Sequence, residues 1–114
     1  MTARNQLSEA LPYPVEQALK GIGRNLRLAR LRRDQTIQQV AERIGTGTRP
    51  IRDAESGKGS TGIAVYAALL WAYDLLDSTE KLADPLTDKE GLALASIKEG
   101  KRARGTSGDI DNEF

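Results

Sequence analysis

The chain has 114 residues, a length typical of one domain, and its hydrophobic fraction of 39% is enough for one small core. It contains no cysteine and no histidine, which removes thiol nucleophiles, disulfides, imidazole metal ligands and the commonest general base. No apolar run reaches the roughly 18 residues of a membrane span, and residues 1–9 lack the apolar segment of a signal peptide. We therefore expect a cytoplasmic protein without a membrane association, a cofactor, a small-molecule substrate or an enzymatic activity.

Charge is distributed unevenly along the chain. Residues 1–58 carry 11 basic and 6 acidic side chains, whereas residues 59–114 carry 6 basic and 10 acidic ones. Six cationic residues and no acidic one lie between Lys20 and Arg33. Such a stretch is typical of a phosphate-binding surface, and the alternative interpretation is a solvated helix face.

The first predicted helix follows a flexible lead, residues 1–13, and runs to about Arg33. Pro14 suits its first position because the amide that proline lacks is unbonded there. Gly21 and Gly23 cost helix stability, so they either permit close packing or mark a bend.

The second predicted helix is short, residues 37–44. Thr36 is a good N-cap for it, and Gln39, three residues later, completes a capping box. Gly45 supplies the left-handed backbone conformation that commonly ends a helix.

The third predicted helix is also short and begins near Thr48 or Arg49. Pro50 is tolerated only within a first turn, which fixes this start. Gly57 follows Ser56 and ends the helix.

The fourth predicted helix, residues 63–75, is apolar at nearly every position, and Ser60 or Thr61 would cap it. We expect one strip of it to face the domain core and a second strip to be covered by another copy of the chain. Packing of that second strip against the C-terminal segment of the same chain is the alternative. The expected core-facing residues are Ile63, Tyr66, Ala67, Leu70 and Tyr73. The expected dimer-interface residues are Val65, Ala68, Leu69 and Ala72.

The C-terminal region begins where Asp84-Pro85 closes the expected domain, residues 14–84, after a last helical turn or two. We expect residues 85–114 to be a partly disordered tail that can bind a partner. The apolar patch at residues 92–97 fits either a short strand or a binding segment, and a basic cluster follows it. The last ten residues are expected to be disordered.

The second and third predicted helices carry the side chains that indicate a function. Two short helices joined by a glycine turn, with cationic and hydroxyl side chains at the start of the second, fit the DNA major groove. Arg49 and Arg52, three residues apart, can contact base edges, although for Arg52 an ion pair with Glu55 is the alternative. Polar side chains on the preceding helix and nearby cations can contact phosphates. The expected DNA-binding residues are Thr36, Gln38, Gln39, Thr46, Thr48, Arg49, Arg52, Lys58, Arg24 and Arg27.

Residues 26–59 read LRLARLRRDQTIQQVAERIGTGTRPIRDAESGKG. This stretch resembles the Cro/lambda-repressor type of helix-turn-helix regulator, and the resemblance extends over about residues 20–76. It implies an all-α fold, a compact bundle of about five helices with flexible N- and C-terminal tails, and an internal salt bridge between Arg30 and Glu55. Ile37 stands where the family usually has glutamine, so the bases that are read are expected to differ.

Residues 74–104 read DLLDSTEKLADPLTDKEGLALASIKEGKRAR, which resembles the antitoxins encoded beside HipA-type kinase toxins, the HipB group. The helix pair and the second apolar strip of the fourth helix predict a homodimer that binds an inverted-repeat operator in double-stranded DNA. The resemblance implies that the dimer represses its own operon and binds a HipA-like kinase toxin. In some three-component versions a separate small protein neutralises the toxin. The alternatives are a protein-interaction module that docks a toxin kinase through its C-terminal half, with DNA binding secondary, and a phage-type repressor.

Overall fold

The fold is all-helical over residues 6–105, the part of the chain that this computed structural model describes. This confirms the predicted fold class. The described part contains no strand, and none of its helices combines the length and apolar character needed to cross a membrane. The helices are α1 (Gln6–Glu9), α2 (Tyr13–Arg32), α3 (Ile37–Ile44), α4 (Thr48–Ser56), α5 (Ile63–Ala72), a 3₁₀ helix (Leu76–Lys81) and α6 (Lys89–Gly105).

The ends of α3 and α4 lie where local backbone chemistry places them. The Thr36 hydroxyl accepts a hydrogen bond from the Gln39 amide at 3.0 Å, and the Gln39 side chain accepts one from the Thr36 amide at 2.9 Å. Gly45 and Gly57 end the two helices with φ of 80° and 78°, the left-handed region that glycine adopts without a steric penalty. The predicted bounds of α3 and α4 are therefore confirmed.

One core is shared by α2, α3, α4 and the α5 region, within the unit that ends at Thr79. Ile51, Leu69 and Ala54 are 0% exposed, and the Tyr73 side chain, just past α5, is 1% exposed. Every helix from α2 to α5 therefore contributes to the same buried cluster. Its buried members are Leu26, Ala29, Val40, Ala41, Ile51, Ala54, Leu69, Ala72 and Tyr73.

Helices α2 and α4 approach each other closely in this unit. A Cβ atom at Gly23 would collide with the backbone carbonyl oxygens of Ala54 and Glu55, and one at Gly57 would lie 2.8 Å from the Cα of Lys20. Glycine is therefore required on both sides of this contact, which favours the close-packing interpretation of Gly23.

The side of α5 that faces the core differs from the prediction. Leu69 and Ala72, expected at a dimer interface, are 0% and 6% exposed because they pack in the chain's own core, while Ile63, expected in the core, is 68% exposed. Val65 also packs against the core, and Ala68 is half-buried. The apolar side chains of α5 that are exposed are instead those of Ile63, Ala64 and Trp71.

Helix α5 begins at Ile63 as predicted, but its cap and its C-terminal end differ from the prediction. Gly62 precedes the first turn without a side-chain cap, so neither Ser60 nor Thr61 takes that role. The helix ends at Ala72 because Asp74 adopts φ of 62°, a left-handed conformation that stops helix propagation.

Residues 80–105 belong to the second unit, described here by itself. Residues 92–97 were expected to be a short strand or a binding segment within a partly disordered tail, but Lys89–Gly105 form one α-helix of 17 residues. The Asp88 carboxylate accepts a hydrogen bond from the Gly91 amide at 3.0 Å and so caps the helix start. The disorder expected for the last ten residues lies outside the described residues, except for Gly105, which ends α6.

The expected flexible lead, residues 1–13, is described only in its second half. That half contains α1, a single turn, and Tyr13 already begins α2. Pro14 therefore occupies the second helical position instead of the first.

Candidate nucleic-acid interface

The two arginines of α4 expected to contact bases, Arg49 and Arg52, are both exposed. They lie in the first five residues of a helix that begins at Thr48, and their three-residue spacing places them on one side of it. Two short helices and a connection of residues 45–47 thus present a pair of cations beside a helix start. This arrangement offers planar hydrogen-bond donors to an acceptor-rich ligand.

The interaction of Arg52 is local to α4. Its Nη1 atom donates a hydrogen bond to the Thr48 hydroxyl at 2.9 Å, one helical turn back. The alternative ion pair with Glu55 is absent because the Glu55 carboxylate is occupied by Arg30. Arg52 therefore keeps an exposed guanidinium that Thr48 helps to orient.

The Arg30–Glu55 salt bridge expected from the family resemblance is present and nearly buried. Arg30 Nε and Nη2 donate to the two Glu55 carboxylate oxygens at 2.8 and 3.0 Å, and Nη1 donates to the Gln35 carbonyl at 3.0 Å. The side chains of the pair are 9% and 8% exposed. The hydrogen bonds that Arg30 donates to Glu55 raise the pKa of Arg30 above its ordinary value, against the opposing effect of burial. The pair fixes α4 against α2 and against the residue before the α3 cap.

The cationic stretch between Lys20 and Arg33 divides into structural and exposed members. Lys20 pairs with Glu16 at 3.4 Å, and Arg33 donates to the carbonyl oxygens of Ala29 and Tyr73, both at 2.9 Å. Arg30 is committed to the buried pair. The remaining cations are exposed and form no ion pair within the described residues, which suits phosphate contact. They are Arg24, Arg27 and Arg32.

The other expected contact residues have mixed environments. Gln38 is exposed, whereas the side-chain oxygens of Thr36 and Gln39 accept each other's backbone amides in the capping box. Thr46 is half-buried, and exposed Lys58 lies 3.9 Å from the Asp53 carboxylate. Thr36 and Gln39 therefore contribute first to the shape of α3, and only their remaining donors can reach a ligand.

Arg43 was missed by sequence reasoning. This exposed residue of α3 places its guanidinium 5.7 Å from the centre of the Trp71 ring, a cation–π contact between α3 and α5. The basic composition of the N-terminal half signals a cation here, but its aromatic partner is 28 residues away in sequence and carries no local signal.

Comparison with protein-family models gave no match, and searches of curated proteins and of solved structures gave none. Within residues 6–105, no three acidic side chains come together as metal ligands would. The candidate interface therefore rests on the geometry of α2, α3 and α4 and on the charges they expose.

Proposed function

We propose that this chain is a sequence-specific DNA-binding transcriptional repressor in which α3 and α4 act as a helix-turn-helix. The observation that carries the proposal is the exposed Arg49 and Arg52 pair at the start of α4. The buried Arg30–Glu55 pair supports it, because a helix that reads bases must be held rigidly against the rest of its domain.

In this proposal α4 enters the major groove with its N-terminal half. Arg49 and Arg52 donate to the O6 and N7 acceptors of guanine, and each bidentate pairing contributes about 1 to 3 kcal/mol of discrimination. The hydrogen bond from Arg52 to Thr48 limits the conformations of one of the two guanidinium groups before DNA binds.

Phosphate contacts come from exposed cations, of which Lys58 has one long contact, 3.9 Å, to the Asp53 carboxylate. Arg24 and Arg27 on α2 fit this role, as does Lys58 just beyond α4. Gln38 and the unbonded amides at the α3 start can add neutral donors. These contacts orient the protein on DNA and make its affinity depend on salt, without specifying sequence.

A homodimer on an inverted repeat belongs to the same proposal. Two copies of α4 would occupy successive major grooves about 34 Å apart. Since Leu69 and Ala72 are in the core, the α5 surface left for a second copy is the exposed side with Ile63 and Trp71, 68% and 54% exposed.

The resemblance to HipB-type antitoxins supports a finer proposal, autoregulation of a toxin–antitoxin operon with binding of a HipA-like kinase. Helix α6 favours a second function as an interaction module. Its Leu92, Leu94 and Ile97 side chains are 50%, 54% and 57% exposed, and such apolar exposure is typical of a protein-binding segment. Replacing Leu94 and Ile97 by glutamine should abolish a complex with the kinase and leave DNA affinity unchanged; a retained complex would exclude α6 as the docking segment.

The DNA readout is tested by three single variants, Arg49→Ala, Arg52→Ala and the matched control Arg43→Ala. Each removes one exposed arginine from the α3–α4 pair, so the change in net charge is identical. Binding to DNA from upstream of the gene and to scrambled DNA is measured by fluorescence anisotropy. Arg49→Ala and Arg52→Ala should each lower the preference for upstream DNA roughly 5- to 150-fold, and Arg43→Ala should retain it.

Helicity measured by circular dichroism accompanies each titration. If both α4 variants keep the wild-type preference while folded, α4 does not read the operator. If Arg43→Ala abolishes the preference to the same extent, the effect is one of charge and the assignment of base contacts to α4 is wrong.

A further inference from the structure

Helix α6 carries a stripe of three exposed cations, Lys98, Lys101 and Arg104, which we call the basic stripe. The three residues are spaced by three, so they span about 9 Å along the helix and an arc of about 120° around it. Glu99 is the one acidic residue in this segment, and it lies about 160° from the middle of the stripe. Within residues 98–105 one side of the helix is therefore positive, while Leu94, Ile97 and, nearer the helix start, Glu90 lie on the same side.

The positive charge is segregated within this part of the chain. Residues 80–97 hold two basic and four acidic side chains, whereas residues 98–105 hold four basic and one acidic. Cations near a helix C-terminus also stabilise the helix dipole, but that effect falls off within the last turn. It accounts for Arg102 and Arg104, and it does not account for Lys98, about two turns before the end of α6 at Gly105.

We propose that the basic stripe binds the phosphate backbone of duplex DNA, as a sequence-independent contact in addition to the one made by α4. This inference rests on the proposed DNA-binding function and names a second segment for the same partner. Duplex DNA carries one negative charge per about 1.7 Å of its axis, so cations along one side of a helix face several phosphates. Phosphate contacts carry no sequence information, so the stripe adds affinity for every duplex equally.

The test compares two double variants of the full-length chain, K98Q/K101Q and the matched control K81Q/K89Q. Both remove two exposed lysines from residues 80–105, and glutamine preserves helix propensity. Affinity for operator DNA and for an unrelated duplex is measured from about 50 to 200 mM salt, with helicity followed by circular dichroism.

For K98Q/K101Q, the slope of log affinity against log salt should become less steep by about 1.8 per chain on both duplexes. Over this fourfold salt range, wild type should then lose about tenfold more affinity than the variant. The control should keep the wild-type slope, and operator preference should be unchanged in both variants. A slope unchanged in K98Q/K101Q, or lowered equally in the control, overturns the proposal.

Failure of the stripe and failure of the repressor proposal give different results. The wild-type protein could bind both duplexes equally, with a salt slope that depends on Lys98 and Lys101. That result contradicts sequence-specific repression and supports DNA binding by the basic stripe. Wild type that binds no duplex overturns both. A further outcome involves vesicles of equimolar phosphatidylserine and phosphatidylcholine. If vesicle binding depends on these lysines and DNA binding does not, the stripe binds membranes, and the proposal that it binds DNA is overturned as well.

Discussion

Helices α5 and α6 are both rich in apolar residues, yet different interactions stabilise them. In α5, Leu69 is 0% exposed and Ala72 is 6% exposed within a core shared with α2, α3 and α4. In α6, Leu94 is 54% exposed and no side chain between Leu92 and Arg104 is buried. The comparison shows that apolar content alone does not locate a core. Helix α5 is held by packing, whereas α6 depends on its cap and on intrinsic helix propensity.

The largest expected effect comes from making the same substitution in both helices. Leu69→Ala should lower the free energy of unfolding by about 2 to 5 kcal/mol, because it leaves a cavity in the core. Leu94→Ala should change it by less than about 0.5 kcal/mol, since the side chain is already half in water. Urea titrations followed by circular dichroism measure both values. Equal losses in the two variants would remove the distinction between the helices.

The next effect concerns the ion pair that joins α2 to α4. Glu55→Gln leaves Arg30 buried without a charged partner and should cost about 2 to 3 kcal/mol. The matched control is Asp53→Asn, which breaks a longer and more exposed pair, 3.9 Å from Lys58, and should cost less than about 1 kcal/mol. Thermal unfolding of the two variants tests this order. A smaller loss for Glu55→Gln than for Asp53→Asn would contradict a structural role for the buried pair.

Two glycines of α2 provide a sharper test of the close approach to α4. Gly23→Ala should destabilise by about 1 to 3 kcal/mol, because the added methyl group meets the backbone of Ala54 and Glu55. Gly21→Ala adds a Cβ whose nearest neighbour is the Arg24 side chain at 3.8 Å, and should stabilise the helix by about 0.5 to 1 kcal/mol. Chemical denaturation gives both values; a neutral Gly23→Ala would mean that α2 and α4 are not in contact there.

The smallest effect involves the buried Tyr73 hydroxyl, which makes no hydrogen bond within the described part of the chain. Tyr73→Phe should be neutral or stabilising by up to about 1 kcal/mol, because it removes an unpaired polar group. A marked loss of stability at neutral pH would show that the hydroxyl has a partner.

The same residue predicts an alkaline dependence. Burial raises the pKa of Tyr73 above its ordinary value of 10.0, so above pH 10 the unfolded chain loses this proton while the folded chain retains it. Stability should therefore fall as pH rises through this range, and it should fall less in Tyr73→Phe. Unfolding free energies measured at pH 8 and at pH 11 provide the check. An identical decline in both chains would assign the effect to other groups.

Sequence reasoning succeeded where the determinants are local. The bounds of α3 follow from the Thr36 and Gln39 capping box and from Gly45, all within ten residues of one another. The buried Arg30 and Glu55 pair is 25 residues apart in sequence, and only the family resemblance pointed to it.

Sequence reasoning failed where apolar residues occur on all sides of a helix, because such a pattern does not indicate which side is buried. Nearly every position of α5 is apolar, so the sequence does not determine which side faces the core, and Leu69 was assigned to the wrong side. Helix α6 has apolar residues all around and no single apolar face, and its apolar patch was expected to be a short strand or a binding segment in a partly disordered tail. Its helical signals were the Asp88 cap and a run of leucine, alanine, lysine and arginine.

The most direct test of the central claim is fluorescence anisotropy of the wild-type protein on DNA from upstream of its own gene and on scrambled DNA, at two salt concentrations. A specific repressor should prefer the upstream DNA by about a thousandfold or more, and its affinity should fall steeply with salt. Equal and weak binding to both DNAs, lost together as salt rises, would contradict an autoregulatory repressor and leave the exposed apolar residues of α6 as the principal interaction surface.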